Sequence, residues 1–259
     1  MLEASGLTAH YGPIPAVRDV DLEVGEGEAI AVLGRNGAGK STTMALLSGL
    51  KRPTTGVIRF DGKDVTRWSA EERAAAGLAL VPEGRGVFPS LTVRENLAMG
   101  AYTRRLRAKQ AAAEIDRVTE RFPRLAARMA QRAGSLSGGE AQMLAVARGL
   151  MTRPRLLMID EPSLGLAPRF VDELYELFGE LRRDGLTIII VEQYVTVGLH
   201  FADRAYVMHK GRVAATAPTA ELVGSPQLVE IYMSEGTAPS NGALAGAAGG
   251  RAASPAGRR

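Results

Sequence analysis

The chain has 259 residues, 46% of them hydrophobic and 23% charged, which suits one globular unit with a sizeable core. Its formal net charge is +4, but Arg251, Arg258 and Arg259 supply three of those charges from the last stretch, so no clustered basic face for nucleic acid is indicated. The absence of cysteine rules out disulfides, cysteine-ligated zinc and cysteine nucleophiles, and fits a reducing compartment.

The start, Met1-Leu2-Glu3-Ala4-Ser5, lacks the basic residues and long apolar run of a signal peptide. The first fifth of the chain reads as strands. Val20, Leu22 and Val24 alternate with Asp19, Asp21 and Glu23, the period-two mark of a half-buried strand. Residues 29–33 form a short apolar run that ends in a glycine-rich loop. That loop, Gly34-Arg35-Asn36-Gly37-Ala38-Gly39-Lys40-Ser41, matches the P-loop pattern in full, after a strand and before a helix starting near Ser41. Its glycines let successive backbone N–H groups wrap round phosphate, and the helix N-terminus adds partial positive charge. Lys40 is expected to reach the β and γ phosphates of a nucleotide and Ser41 to ligate Mg²⁺, with Thr42 completing the cradle.

Residues 78–81 are a second apolar run. Residues 92–151, rich in Ala, Arg and Glu, read as helix throughout, with Thr92 and Glu95 spaced as a capping box. Inside that stretch lies Leu136-Ser137-Gly138-Gly139-Glu140. Ser137 and Glu140 are again spaced as a capping box, for the helix carrying Met143, Leu144, Ala147 and Leu150. A capped helix start with two glycines is equally an anion site, and spacing alone leaves both readings open. In Leu156-Leu157-Met158-Ile159-Asp160-Glu161 four apolar residues run into two carboxylates. A buried strand cannot carry paired acids midway, but its carboxyl end opens onto the crevice where α/β sheets bind ligands. Asp160 is placed there to hold Mg²⁺ through water, and Glu161 to act as general base on a water in line with the γ-phosphate. Leu174, Leu177, Phe178 and Leu181 then recur at helix spacing. Residues 187–191 are the last uninterrupted run, and such runs suit a parallel sheet buried on both faces. No run approaches the roughly 18 residues of a membrane span, so work at a membrane requires another chain as anchor. From Gly236 the chain is nearly all Gly, Ala, Ser, Pro and Arg, and disorder is expected there.

These three motifs, in this order and spacing, resemble the nucleotide-binding subunits of ABC transporters over about residues 2–233. The resemblance implies an α/β fold: a P-loop NTPase core with an antiparallel β subdomain and an inserted helical subdomain. It places the ATPase domain at residues 1–235, the insertion at about 88–152 and the tail at 236–259. It also implies a head-to-tail pair of ATPase subunits. Ser137, Gly138 and Gly139 would then close over ATP held by the P-loop of the partner subunit, and hydrolysis would need the dimer. Tyr11 matches the aromatic residue that stacks on adenine, a contact of about 1–3 kcal/mol by analogy with base stacking. Residues 163–166 fall where the family has its dimer-contact loop, without its usual aspartate.

Two departures stand out. Glu83 occupies the position of a glutamine that senses Mg²⁺ and water and whose loop contacts the membrane partner; a carboxylate there can still ligate Mg²⁺. Gln193 replaces a switch histidine; its amide can donate to a γ-phosphate oxygen but cannot become cationic. Together with residues 81–85, 163–168 and 191–193, these departures resemble the smaller ATP-binding subunit of branched-chain amino acid importers. The implied partners are a second ATPase subunit, in a hetero- or homodimer, membrane permease subunits and, indirectly, a substrate-binding protein, at the cytoplasmic face of the inner membrane; in the branched-chain systems two different ATPase subunits pair. Urea-type and short-amide importers are the nearest alternative and usually keep glutamine at the position of Glu83. A soluble ABC ATPase would call for two cassettes, long heptads or zinc-binding cysteines, which this chain lacks. A partner that binds ATP without hydrolysing it is suggested by Gln193 and opposed by Glu161.

Overall fold

Alternating and uninterrupted apolar runs fold into two different kinds of sheet. The computed structural model describes residues 1–233, and the tail expected to be disordered from residue 236 lies outside the described residues. The strands are β1 (Leu2–Tyr11), β2 (Ile14–Val24), β3 (Ala29–Leu33), β4 (Thr55–Phe60), β5 (Lys63–Asp64), β6 (Leu78–Val81), β7 (Leu156–Asp160), β8 (Thr187–Glu192), β9 (Arg204–His209) and β10 (Arg212–Pro218). The helices are α1 (Lys40–Ser48), α2 (Ala70–Ala75), α3 (Val93–Gly100), α4 (Ala108–Thr119), α5 (Pro123–Ala126), α6 (Gly138–Leu150), α7 (Pro168–Arg183), α8 (Val195–Phe201), α9 (Thr219–Leu222) and α10 (Pro226–Met233).

An antiparallel sheet of order β2-β1-β4-β5 carries the alternating strands. The second sheet has the order β10-β9-β3-β8-β7-β6 and is parallel except for β10 at its edge. Its central strands are apolar at nearly every position because both faces are covered. Ala29, Ala31, Leu157, Ile159, Ile188 and Ile190 join the core shared with the helical layer. Ile30, Val32, Leu156, Met158, Ile189 and Val191 join the core against the antiparallel sheet and α1. Successive side chains of one strand point to opposite faces, so one continuous run serves two cores.

Parallel pairing has a consequence for the site. The carboxyl ends of β3, β8, β7 and β6 lie along one edge of the sheet, in register Leu33–Glu192, Val191–Asp160 and Ile159–Val81. Everything at that edge is delivered to one crevice.

The segment 92–151 is not one continuous helical stretch. It breaks into α3, a 3-10 turn, α4, α5, a second 3-10 turn and α6. Arg105 follows the first turn with φ 50°, a left-handed value that ends helical propagation. Pro123 opens α5 at a first-turn position, where its missing N–H costs nothing. Both expected capping boxes form: Thr92 with Glu95 starts α3, and Ser137 with Glu140 starts α6. The pieces are tied by Glu114, whose buried carboxylate meets Arg117 at 2.5 Å, Arg153 at 2.7 Å and Arg104 at 3.1 Å. Burial pushes that carboxyl up, but the three guanidiniums outweigh it and hold it down at about 2. Arg73 is fully buried and donates to the carbonyls of Leu46 and Leu47 at the end of α1, at 2.7 and 2.8 Å. It anchors the helix whose other end bears the glycine-rich loop.

Candidate functional site

Residues 34–39 leave β3 and lead straight into α1, whose first residue is Lys40. At Gly39 φ is 104°, and a Cβ would lie 2.8 Å from the carbonyl oxygen of Ala16, so only glycine fits the turn. A cleft of about 430 Å³ opens beside it, lined by Ala16, Asn36, Gly37, Gly39, Lys40, Ser41, Thr42, Glu83 and Glu161. Residues far apart in sequence thus share one wall because their strands end side by side.

Lys40 is 4% exposed. Its ammonium donates to the carbonyls of Gly34 (2.8 Å) and Arg35 (3.3 Å) and lies 3.3 Å from Oε1 of Glu161. Glu161 has φ 49°, a left-handed conformation that costs a non-glycine residue on the order of 1–3 kcal/mol and persists only where its surroundings demand it. Its N–H donates to the carbonyl of Val191 at 2.9 Å, which turns the chain off the end of β7. The carboxylate of Glu161 therefore faces the cleft rather than continuing the strand.

Asp160, the last residue of β7, is 5% exposed, and its Oδ1 has no hydrogen-bond partner. Burial pushes its carboxyl up to about 6; the Ser41 hydroxyl works against this shift, and the charges of Glu161 and Glu83 add to it. An orphaned buried oxygen beside a serine hydroxyl is the donor set a hard divalent cation would satisfy. Among the described residues no cluster of three or more His, Asp or Glu side chains forms a ready-made metal cage. Mg²⁺ needs no such cage, since one or two carboxylates together with water and substrate phosphate suffice to bind it.

Other expected site residues lie elsewhere. Ser137, Gly138 and Gly139 sit at the start of α6 and do not line this cleft. The Ser137 hydroxyl accepts from the N–H of Glu140 at 3.3 Å, so it serves as the cap. Gly139 presses on the ring of Phe170, where a Cβ would come within 2.4 Å, so any side chain there would push α6 off α7. Tyr11 ends β1 and is 56% exposed, with the Lys51 ammonium 3.9 Å above its ring. Gln193 is exposed just beyond β8. Arg35 turns from the cleft to the carbonyl of Tyr232, at 3.4 Å. Gly34 and Ala38 are buried in the loop itself.

One residue at the site has no counterpart among the expectations. Glu192 is 1% exposed at the end of β8 and ties the loop after Glu161 to α7. The sequence carries only a weak signal for it, a lone acid closing the apolar run of residues 187–191. Chemically, the cleft offers backbone and lysine for phosphate, oxygens for a cation, and a carboxylate within reach of an attacking water. Those are the parts of phosphoryl transfer to water.

The chain and its fold are similar to known proteins. A family model described as ABC transporter matches residues 17–164. The chain is 43% identical over 233 residues to the high-affinity branched-chain amino acid transport ATP-binding protein BraG of Pseudomonas aeruginosa, covering 90% of this chain and 99% of that one. It is 34% identical over 242 residues to the lipopolysaccharide export system ATP-binding protein LptB of Acidithiobacillus ferridurans, covering 91% and 97% of the two chains. Among solved structures, a nucleotide-free ATP-binding cassette from an ABC transporter superposes with a TM-score of 0.82 at 25% identity, covering 91% of this chain and 99% of that one.

Proposed function

The chain belongs to the ABC transporter family, whose subunits of this kind bind and hydrolyse ATP, and from that premise we propose that it energises an importer for branched-chain amino acids. The observation that carries the ATPase reading is the convergence of Lys40, Ser41, Glu83 and Glu161 on one cleft, with Asp160 against Ser41. The cargo rests on the likeness to BraG, which spans nearly the whole of both chains.

Within that reading each residue has a task. The backbone of residues 34–39 and the start of α1 hold the β and γ phosphates of ATP, with Ser41 and Thr42 at the helix start. Lys40 exchanges the carbonyls of Gly34 and Arg35 and the carboxylate of Glu161 for phosphate oxygens. That exchange leaves Glu161 free to take a proton from the attacking water. Asp160, Ser41 and Glu83 would hold Mg²⁺, which would supply charge neutralisation for the phosphates when bound. Gln193 donates its amide to a γ-phosphate oxygen, and Tyr11 stacks on adenine. Ser137, Gly138 and Gly139, which do not line this cleft, serve ATP on a second ATPase subunit packed head to tail. We read residues 1–235 as the ATPase domain and about 88–152 as its helical insertion.

A permease is the partner that a second feature supports. Among the described residues no helix is long and apolar enough to cross a membrane. A groove between α2, β6, α3 and α6 exposes Leu50, Phe88, Met99 and Tyr102. Such a groove suits an amphipathic helix of a membrane subunit and would hold the chain at the cytoplasmic face of the inner membrane. A substrate-binding protein would act through that permease.

The test is capture of the tagged full chain from its own membranes, with partners identified by mass spectrometry. A permease with a second, different ATPase and a periplasmic amino-acid-binding protein is the expected result. The likeness to LptB makes lipopolysaccharide export the second reading, and recovery of export components would replace import with it. Recovery of no membrane protein would overturn both.

A further inference from the structure

Glu192 is the least accessible carboxylate at the site edge, at 1% exposure, and it does not face the cleft. Its Oε1 accepts from the N–H of Ser163 at 3.2 Å and from the hydroxyl of Tyr175 at 2.8 Å. Its Oε2 accepts from the hydroxyl of Ser163 at 2.7 Å. All three bonds come from neutral donors, so Glu192 is not half of an ion pair. Ser163 stands two residues after Glu161, and Gln193 stands one residue after Glu192. The loop leaving β7 is thus fastened twice to the end of β8. The N–H of Glu161 binds the carbonyl of Val191, and both donors of Ser163 bind Glu192. Between the two fasteners lies the left-handed turn at Glu161. A strained turn of that kind relaxes unless its flanks hold it.

A buried carboxylate is costly to keep unless it is hydrogen-bonded, and Glu192 is held by three such bonds. Tyr175 extends the tie into the body of the protein. Its ring meets those of Phe178 and Phe201 edge-on at 5.4 Å, which fixes the hydroxyl that grips Glu192.

We propose that Glu192 is a positioning residue for ATP hydrolysis, locking the loop of Glu161 to the end of β8 so that the Glu161 carboxylate keeps its place at the γ-phosphate. The inference rests on the reading of Glu161 as the base. Glu192→Gln keeps size and shape but turns one acceptor into an N–H₂ group facing the donors of Ser163 or Tyr175. Ser163→Ala removes one bond from the other side and carries the same test should Glu192→Gln fail to fold.

Steady-state ATP turnover and nucleotide affinity of the full chain decide the matter. Glu192→Gln is expected to lower kcat about 10- to 100-fold, the effect of a displacement near 1 Å at a reacting group. The KM for ATP and the affinity for a fluorescent ATP analogue stay within about twofold, because the phosphate cradle is untouched. Ser163→Ala lowers kcat in the same direction by a smaller factor. In a Glu161→Gln background neither substitution lowers turnover further, since there is no base left to misplace. Unchanged kcat in folded Glu192→Gln and Ser163→Ala would overturn the proposal. So would a loss carried by KM, or one that multiplies with that of Glu161→Gln. A Glu161→Gln chain that turns over normally would instead remove the base itself, and the two failures are told apart by that single variant.

Discussion

Lys40 makes three close contacts at the site, two to loop carbonyls and one to Glu161, and all lie in a region from which water is largely excluded. Removing the ammonium takes away the point charge for phosphate and leaves the buried carboxylate of Glu161 without its partner. Lys40→Ala is therefore expected to weaken nucleotide binding by about 100-fold or more, measured by titration with a fluorescent ATP analogue. Normal affinity in that variant would contradict the role given to the loop. The loop, Asp160 and Glu161 were legible in the sequence because the chemistry of each is local: a glycine pattern, and paired acids ending an apolar run. Glu192 was not, because its partners Ser163 and Tyr175 are 29 and 17 residues away and meet it only once β7, β8 and α7 are assembled. The exposure of Tyr11 and the cation above its ring were likewise beyond the reach of sequence, since Lys51 comes from the segment that follows α1.

At the scale of elements, the helical segment of residues 92–151 is held in part by polar ties. Glu114 on α4 gathers Arg104, Arg117 and Arg153. Its carboxyl lies at about 2 in the fold, below the ordinary 4.5. A depressed carboxylate stabilises the fold fully above its unfolded value and loses that contribution as pH falls toward the folded one. The window is therefore about pH 4.5 down to about pH 2. Two of the three arginines are half exposed, so solvent screening reduces the contribution to on the order of 1–2 kcal/mol. Glu114→Gln should lower the unfolding free energy extrapolated from urea melts at pH 7 by that amount, and the gap from the parent chain should shrink as pH falls below 4. An equal gap at pH 7 and pH 3 would show that charge is not the source. Here the sequence was half legible. The capping boxes at Thr92 and Ser137 announced where α3 and α6 begin. The breaks between them follow from the left-handed turn at Arg105 and from Pro123, small signals in a stretch whose composition favours helix.

For the whole molecule, strand order governs function. β3, β7 and β8 are distant in sequence yet adjacent in the sheet, and their parallel direction brings the loop, the two acids and Gln193 to one edge. The apolar runs gave away the parallel sheet, but not which strands are neighbours, since every run is equally apolar on both faces. The glycine pair at the start of α6 remains outside the cleft, so a single chain does not bring it to its own ATP loop. Turnover should therefore rise more steeply than linearly with subunit concentration at low concentration, checked by a dilution series of ATPase rates; strict proportionality would argue for a self-sufficient monomer. The central claim is that this edge is an ATP hydrolysis site with Glu161 as its base. Its most direct test is single-turnover hydrolysis of radiolabelled ATP by the full chain carrying Glu161→Gln. Retained ATP binding with hydrolysis slowed about 10²- to 10⁴-fold is the predicted result, and hydrolysis at the parent rate would contradict it.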